Sequence, residues 1–370
     1  MKNLIDDIQS TLLLGAGPSS VAPSTYHALG ANTLGHLDPY FIKIMDELKS
    51  YLRVLFGTSN EVTVPVSGTG SAAMEMAFVN LVERGDKVLI IQNGVFGARM
   101  ADVAERLGAN VTELAFEWGK PADAGAVAEK LRQDDYKIVA MVLAETSTGV
   151  RNPVEEIGRL LECGGSLFIV DAVTALGGMP VETDNWGVDV CYSGSQKCLA
   201  CPPGASPITF SDRAIEAVKA RCGKVPNWYL DITLLTQYWS GNTRAYHHTP
   251  PINMMYGLYQ AVYNIVEEGT ENVFARHARS HELLVKELGK LGWEMLVDKP
   301  YRLPMLNAAV VPDGVDEAAL RGRLLREHRI EISSGLGALA GKVVRIGLMG
   351  YNAKPTSVNA LISAMKEILY

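Results

Sequence analysis

Short runs of β-branched and other apolar residues alternate with stretches of helical periodicity over the first two thirds of the chain. Seven apolar runs predict strands, at 62–66, 87–92, 110–115, 138–143, 166–170, 188–192 and 206–210. Amphipathic stretches between several of them predict helices, at 72–83, 98–107, 124–132 and 154–162. This alternation is typical of an α/β fold, in which helices cover both faces of a mainly parallel sheet. Binding sites in such folds lie at the carboxyl ends of the strands.

The pattern changes after residue 254, where two long helical stretches follow one another at 254–268 and 270–291. Shorter elements come next, with strands predicted at 293–296, 307–311, 330–333 and 343–346 and helices at 316–327 and 356–369. They form an α+β unit of about 80 to 100 residues, which is large enough to have its own core. We therefore expect an N-terminal arm (1–15), a large domain (16–268) and a small C-terminal domain (269–370).

Composition and charge narrow the class of protein. Of 370 residues, 48% are hydrophobic and 20% are charged, as in a folded globular protein. A net charge of −7 gives no electrostatic basis for binding nucleic acid or an anionic membrane. No apolar run approaches the roughly 18 residues of a membrane span. Asp6 and Asp7 stand where a signal peptide would be basic. We expect a cytoplasmic protein that acts on small molecules.

Cysteine and histidine positions do not indicate a metal site. The five cysteines are an odd number, which argues against a disulfide framework. Cys198 and Cys201 have the spacing of a redox or zinc pair, but no second pair completes four ligands. His277 and His281 are four residues apart, and we interpret them as part of a polar helix face.

A glycine-rich loop follows the first predicted strand of the large domain. This loop, Ser-Gly-Thr-Gly-Ser at 67–71, leads into the helix predicted to begin near Ala72. Glycines allow backbone N–H groups to approach a ligand, and a helix N-terminus attracts a phosphate. Gly68, Gly70 and Ala73 also match a dinucleotide-binding pattern. That alternative requires an acidic residue after the next strand, which ends instead in Gln-Asn-Gly at 92–94.

Four more strands end in residues that could carry chemistry. Phe96 follows the second strand, and Glu-Thr-Ser-Thr-Gly at 145–149 follows the fourth. Asp171 ends the fifth strand, and Lys197 follows the sixth in the run Tyr-Ser-Gly-Ser-Gln-Lys at 192–197. A lysine that forms a Schiff base and a carboxylate that pairs with a ring nitrogen are what hold pyridoxal 5'-phosphate (PLP). We predict that all five loops meet in one cleft.

These stretches together resemble the class V aminotransferases of PLP fold type I, in particular the alanine–glyoxylate and serine–pyruvate group. The matching stretches are 15–19, 67–71, 93–97, 145–149, 170–173, 192–197, 246–249 and 345–348. The resemblance implies a large domain with a mainly parallel seven-stranded sheet and a smaller α+β domain. It also implies PLP-dependent transfer of an amino group from alanine or serine to glyoxylate or pyruvate, by a homodimer with shared active sites.

The resemblance further implies a role for individual residues. Lys197 would bind PLP covalently and move protons, Asp171 would pair with the pyridine nitrogen, and Phe96 would stack on the ring. The other cofactor-binding residues that it implies are Thr69, Gly70, Ser71, Thr146, Val173 and Gln196, with Tyr246 and Thr249 coming from the second subunit. Arg345 and Gly17 would bind the substrate, because a guanidinium can hold a carboxylate with two hydrogen bonds.

Two departures and three alternatives accompany this interpretation. Ser71 and Phe96 stand where members of that group carry histidine and tryptophan, which would reshape the side that the acceptor approaches. The alternatives are another amino donor such as aspartate, a PLP-dependent lyase or desulfurase, and a non-catalytic subunit. Desulfurases usually carry histidines beside the lysine and over the ring, where this chain has Gln196 and Phe96. A non-catalytic subunit would have lost Lys197 or Asp171, and both are present.

Overall fold

A computed structural model describes residues 3–162, 164–241 and 244–369. Its first elements are a 3-10 turn at Leu4–Asp7, strand β1 (Leu12–Leu13) and helices α1 (Pro23–Leu29) and α2 (Pro39–Phe56). Helix α2 begins where Asp38 accepts a hydrogen bond from the backbone N–H of Tyr40, and it ends at Gly57 in a left-handed conformation. Neither helix was among the elements predicted from the apolar pattern.

The large sheet and its helices follow the predicted order. Its region contains β2 (Val62–Ser67), α3 (Gly70–Leu81), β3 (Lys87–Gln92), α4 (Val95–Arg106), β4 (Asn110–Ala115), α5 (Ala124–Leu131), β5 (Ile138–Val142), β6 (Ala144–Glu145), β7 (Val150–Arg151), α6 (Val154–Leu161), β8 (Leu167–Asp171), β9 (Val190–Tyr192) and β10 (Ala205–Phe210). Seven of these strands form one sheet in the order β2-β10-β9-β8-β5-β3-β4, in which only β10 runs antiparallel to its neighbours. The predicted mainly parallel seven-stranded sheet is confirmed.

The second unit is reached through a series of helices. They are α7 (Asp212–Lys219), α8 (Ile232–Trp239), α9 (Ile252–Glu268) and α10 (Thr270–Lys290). Beyond them lie β11 (Glu294–Met295), β12 (Leu306–Val310), α11 (Glu317–His328), β13 (Ile330–Glu331), β14 (Ser333–Ser334), β15 (Val343–Gly347) and α12 (Pro355–Leu369), with 3-10 turns at Lys299–Tyr301, Gly337–Leu339 and Gly350–Asn352. The order β11-β12-β15-β14 makes a four-stranded antiparallel sheet. The predicted domain boundaries remain a prediction.

Two hydrophobic clusters form the interior. The first is built around the large sheet, and strands β5, β8 and β10 are buried along their whole length because helices cover both faces. The second cluster lies where α10, α11 and α12 pack against the small sheet. It includes Leu14 of the N-terminal segment, by which we mean residues 12–19. Strand β1 pairs in parallel with β13, so the N-terminal segment is joined to the second unit.

One expectation about α10 is wrong. His277 is fully buried instead of lying on a polar face, because its ring spans two backbone groups. Its Nδ1 lies 2.7 Å from the carbonyl oxygen of Val273, and its Nε2 accepts a hydrogen bond from the N–H of Gly350 at 3.0 Å. Burial lowers the pKa of His277 to about 4, which keeps the ring neutral.

Two further observations concern cysteines and membrane spans. Cys191, Cys198, Cys201 and Cys222 are free thiols, and Cys163 lies outside the described residues. Over those residues, no helix combines the length and apolar character needed to cross a bilayer.

Candidate cofactor and substrate site

Five loops meet at one edge of the large sheet, as predicted. The strands β2, β3, β5, β8 and β9 run in the same direction, so the loops that follow them emerge together. A Cβ atom at Gly70 would lie 3.3 Å from Val173 Cγ2 and 3.7 Å from Gly194 Cα, which places the loops after β2, β8 and β9 in contact. Asp171 and Tyr192 are neighbours in the register of β8 and β9.

Lys197 lies beneath the N-terminal segment. Only 8% of its surface is exposed, and its Nζ donates to the carbonyl oxygen of Ala16. Ser19 holds this segment in place, because its hydroxyl donates to the Lys197 carbonyl at 2.7 Å and its N–H donates to the Gln196 carbonyl at 2.8 Å. Gly17 has a φ of +107°, and a Cβ there would lie 2.5 Å from Nζ. Glycine is therefore required beside the lysine amine.

Burial perturbs the ionisation of both Lys197 and Asp171. The carboxylate of Asp171 is 3% exposed and accepts a hydrogen bond from Val173 N–H at 2.8 Å. Burial raises the pKa of Asp171 to about 7, and the hydrogen bond from Val173 opposes this rise. Burial lowers the pKa of Lys197 to about 8, and the positive charge of Arg345 contributes in the same direction. Shifts of this kind are frequent at catalytic sites, where a lysine must act as a base or nucleophile.

The start of α3 offers unused hydrogen-bond donors. Thr69 is the N-cap residue, but its side chain makes no capping hydrogen bond. The backbone N–H groups of Gly70 and Ser71 donate to no acceptor within the described part of the chain. Nearby, the side-chain Oε1 of Gln196 is buried without a hydrogen-bond partner among those residues. The N–H donors at this helix N-terminus suit the phosphate of PLP, to which Gln196 could add a donor only through its side-chain Nε2, because Oε1 is an acceptor.

Phe96 and Thr146 border the same region from two other loops. Phe96 lies in the first turn of α4 and is half-buried, with the guanidinium of Arg99 4.8 Å from its ring centroid. Thr146 is buried, and its hydroxyl is 2.5 Å from the hydroxyl of Thr174. Their contact with the ring of a cofactor remains a prediction.

Arg345 brings a buried guanidinium from β15 of the small sheet. It is 7% exposed, and its Nε donates to the Ser334 carbonyl at 2.8 Å while Nη1 donates to the Thr146 carbonyl at 3.1 Å. No carboxylate of the described residues forms an ion pair with it. A buried arginine held only by neutral carbonyls is suited to bind a carboxylate from outside.

Tyr246 and Thr249 are not brought to this cleft within the same chain. Both side chains are exposed, and their hydroxyls lie 3.2 Å apart. The ring of Tyr246 contacts His36, with 4.9 Å between the centroids. No hydrogen bond connects either residue to Lys197 or Asp171 in the described chain.

Three residues of the site had no predicted role. Ser19 fastens the segment over Lys197, Thr174 pairs with Thr146, and Glu145 is fully buried and accepts hydrogen bonds from Gly97 and Ser147. The sequence could have indicated a role for Glu145, since an acidic residue close behind a buried strand is uncommon. The sequence gives no indication of the hydroxyl contacts of Ser19 and Thr174, because serine and threonine are frequent in any loop.

A seven-stranded sheet with a buried lysine and aspartate at its carboxyl edge, beside a helix start with unused N–H donors, defines a PLP-dependent enzyme of fold type I. The chain belongs to the class V aminotransferases, whose family model (Aminotransferase class-V) matches residues 23–359. It is 40% identical to the alanine–glyoxylate aminotransferase of Rattus norvegicus, over 98% of this chain and 88% of that protein. It is 35% identical to the (S)-ureidoglycine–glyoxylate transaminase of Bacillus subtilis (strain 168), over 96% and 90%.

A solved structure is also similar throughout. It is the alanine–glyoxylate aminotransferase from Nostoc sp., with a TM-score of 0.96, 47% identity and coverage of 100% of both chains. The predicted fold, family, PLP dependence and transamination between amino and oxo acids are confirmed. The lyase and desulfurase alternatives are not favoured.

Proposed function

We propose that the protein transfers the amino group of a small L-amino acid, alanine or serine, to glyoxylate or pyruvate in two half-reactions. The observation that carries this proposal is the buried guanidinium of Arg345, which forms no ion pair in the described chain and shares a cleft with Lys197. The relatives named for alanine and glyoxylate support the choice of substrates.

PLP, when bound, withdraws electrons from the α-carbon of an attached amino acid. Lys197 would hold it covalently and, once released, would move the proton at the α-carbon, since a pKa of about 8 leaves part of the amine neutral near pH 7. Asp171 would hold the ring nitrogen. Phe96 and Val173 would contact the ring, and Thr146 would orient it.

The phosphate would be held by the residues at the start of α3 and by the lysine loop. These are Thr69, Gly70, Ser71 and Gln196. We propose that Tyr246 and Thr249 of a second copy complete this site in a homodimer, which would explain why both side chains are exposed here. Arg345 would bind the carboxylate of the substrate beside the backbone of Gly17.

The departures at Ser71 and Phe96 would widen the acceptor side of the site, since both side chains are smaller than the histidine and tryptophan of the resembled group. We therefore expect pyruvate to be accepted alongside glyoxylate. A cytoplasmic location is part of this proposal, and cell fractionation tests it.

A half-reaction screen tests the proposed substrates. Each amino acid is mixed with the PLP-loaded protein, and loss of the visible absorbance band reports the amino transfer. Alanine and serine should react fastest, and glyoxylate or pyruvate should restore the band. The panel also includes aspartate, ureidoglycine and simple amines as donors. If any of these three reacts faster than alanine and serine, the proposal is contradicted.

A further inference from the structure

Helix α4, which carries Phe96, begins without a side-chain cap of its own. Its N-cap residue is Gly94, and no side chain at that position accepts a hydrogen bond. The N–H groups in the first turn of a helix need acceptors from elsewhere when the chain provides no cap. The position of the Phe96 ring therefore depends on which groups supply them.

Glu145 and Ser147 supply these acceptors from the loop after β5. The hydroxyl of Ser147 accepts from Val95 N–H at 3.0 Å, and Glu145 Oε2 accepts from Gly97 N–H at 3.3 Å. The same hydroxyl donates to Glu145 Oε1 at 2.5 Å, so the two side chains act as one unit. A Cβ at Gly94 would lie 2.5 Å from Glu145 Cδ, which shows why glycine precedes the helix.

The carboxylate of Glu145 also lies among the charged groups of the site. It is fully buried, which raises its pKa, while hydrogen bonds from Ser147 and from the backbone of Gly97 and Phe96 lower it. Its negative charge raises the pKa of both Asp171 and Arg345. No lysine or arginine of the described chain forms an ion pair with it. The next residue, Thr146, accepts the hydrogen bond from Arg345.

We propose that Glu145 is a positioning residue, which caps α4 from outside the helix to fix Phe96 and adds a negative charge beside Asp171 and Arg345. This inference rests on the proposed PLP site. The loop after β5 thereby places two groups. Glu145 and Ser147 fix the ring of Phe96, and Thr146 holds the guanidinium of Arg345.

The test compares Glu145→Gln with Ser147→Ala. Both variants weaken the cap, but only Glu145→Gln removes the charge. The dissociation constant for PLP should rise several-fold, up to about tenfold, in each variant, because a weaker cap leaves the Phe96 ring less firmly placed. The pH midpoint of the visible band of the PLP-loaded protein should fall in Glu145→Gln, because a lost negative charge disfavours protonation nearby. It should fall less in Ser147→Ala, which keeps the carboxylate.

Asp189→Asn is the matched control. Asp189 is a buried carboxylate that also accepts from a backbone N–H, that of Phe168, but it lies at the opposite end of β9. The inference is overturned if Glu145→Gln shows only the loss of melting temperature seen in Asp189→Asn, with PLP affinity and midpoint unchanged. If Glu145→Gln does not fold, an unchanged PLP affinity in Ser147→Ala overturns it. A wild-type protein that binds no PLP would refute the proposed function instead.

Discussion

The depressed pKa of Lys197 predicts how fast the cofactor-free protein captures PLP at each pH. Only the neutral amine attacks the aldehyde, so the rate should follow the neutral fraction of Lys197. With a pKa of about 8, about one-tenth of the amine is neutral at pH 7. An amine at the ordinary value of 10.5 would be neutral in only about one molecule in 3000. The site should therefore accelerate capture at pH 7 by about 300-fold, or roughly 3 kcal/mol.

The assay is stopped-flow growth of the visible absorbance band after mixing with PLP between pH 6 and pH 10. The rate should rise about tenfold per pH unit below pH 8 and level off above it. Free Nα-acetyl-lysine, measured in parallel, corrects for the titration of PLP itself. A corrected rate that keeps rising to pH 10 would refute the reasoning from burial.

Arg345→Gln separates the two causes of the shift. Burial is the larger cause and the charge of Arg345 is the second, so the variant should move the midpoint upward while leaving it below 10.5. Arg213→Gln, at a residue that pairs with Asp189 at the far end of β9, should leave the midpoint unchanged. Equal midpoints in wild type and Arg345→Gln would show that the guanidinium does not act on Lys197.

Three other predictions concern the remaining groups of the site. The raised pKa of Asp171 means that its burial favours the folded state below about pH 4 and opposes it as pH rises toward 7. Cofactor-free Asp171→Asn should therefore have a higher melting temperature than wild type at pH 8, with a gain in unfolding free energy of up to about 4 kcal/mol that shrinks toward pH 4. The PLP-loaded variant should transfer amino groups slowly. An equal melting temperature at pH 8 would contradict the buried carboxylate. Arg345→Lys should cost about 2 to 4 kcal/mol in kcat/KM for alanine and glyoxylate, because a single ammonium cannot replace the planar two-point grip, and values equal to wild type would remove Arg345 from the substrate site. Lys197→Ala mixed with Thr249→Ala should regain activity through heterodimers, and verified subunit exchange without activity would count against a shared site.

The sequence predicted the sheet because its strands carry a strong local signal. Strands such as β3 and β4 match their predicted bounds, since β-branched runs flanked by turns have few alternatives. Helix α2 was not predicted although Asp38 and Pro39 form a good start signal, because it precedes β2 and lies outside the alternation of strands and helices. His277 was misinterpreted because a buried histidine needs two backbone partners, and one of them, Gly350, lies far along the chain.

The candidate site was predictable to a different extent. Residues in motifs, such as Lys197 and Asp171, were proposed from the sequence because their chemistry is specific. The contacts of Ser19 and Glu145 were not, since each depends on which loops meet in space. Nothing in the sequence alone indicates that the start of α4 takes its acceptors from a loop about 50 residues away.

The central claim is that Lys197 carries PLP, and chemical trapping tests it directly. Borohydride reduction fixes PLP to the amine that holds it, and peptide mass spectrometry then identifies the modified lysine. The account predicts that the label lies on Lys197 in the wild-type protein and that Lys197→Ala gives no stoichiometric label. A label on any other lysine, or stoichiometric labelling that survives in Lys197→Ala, would contradict it.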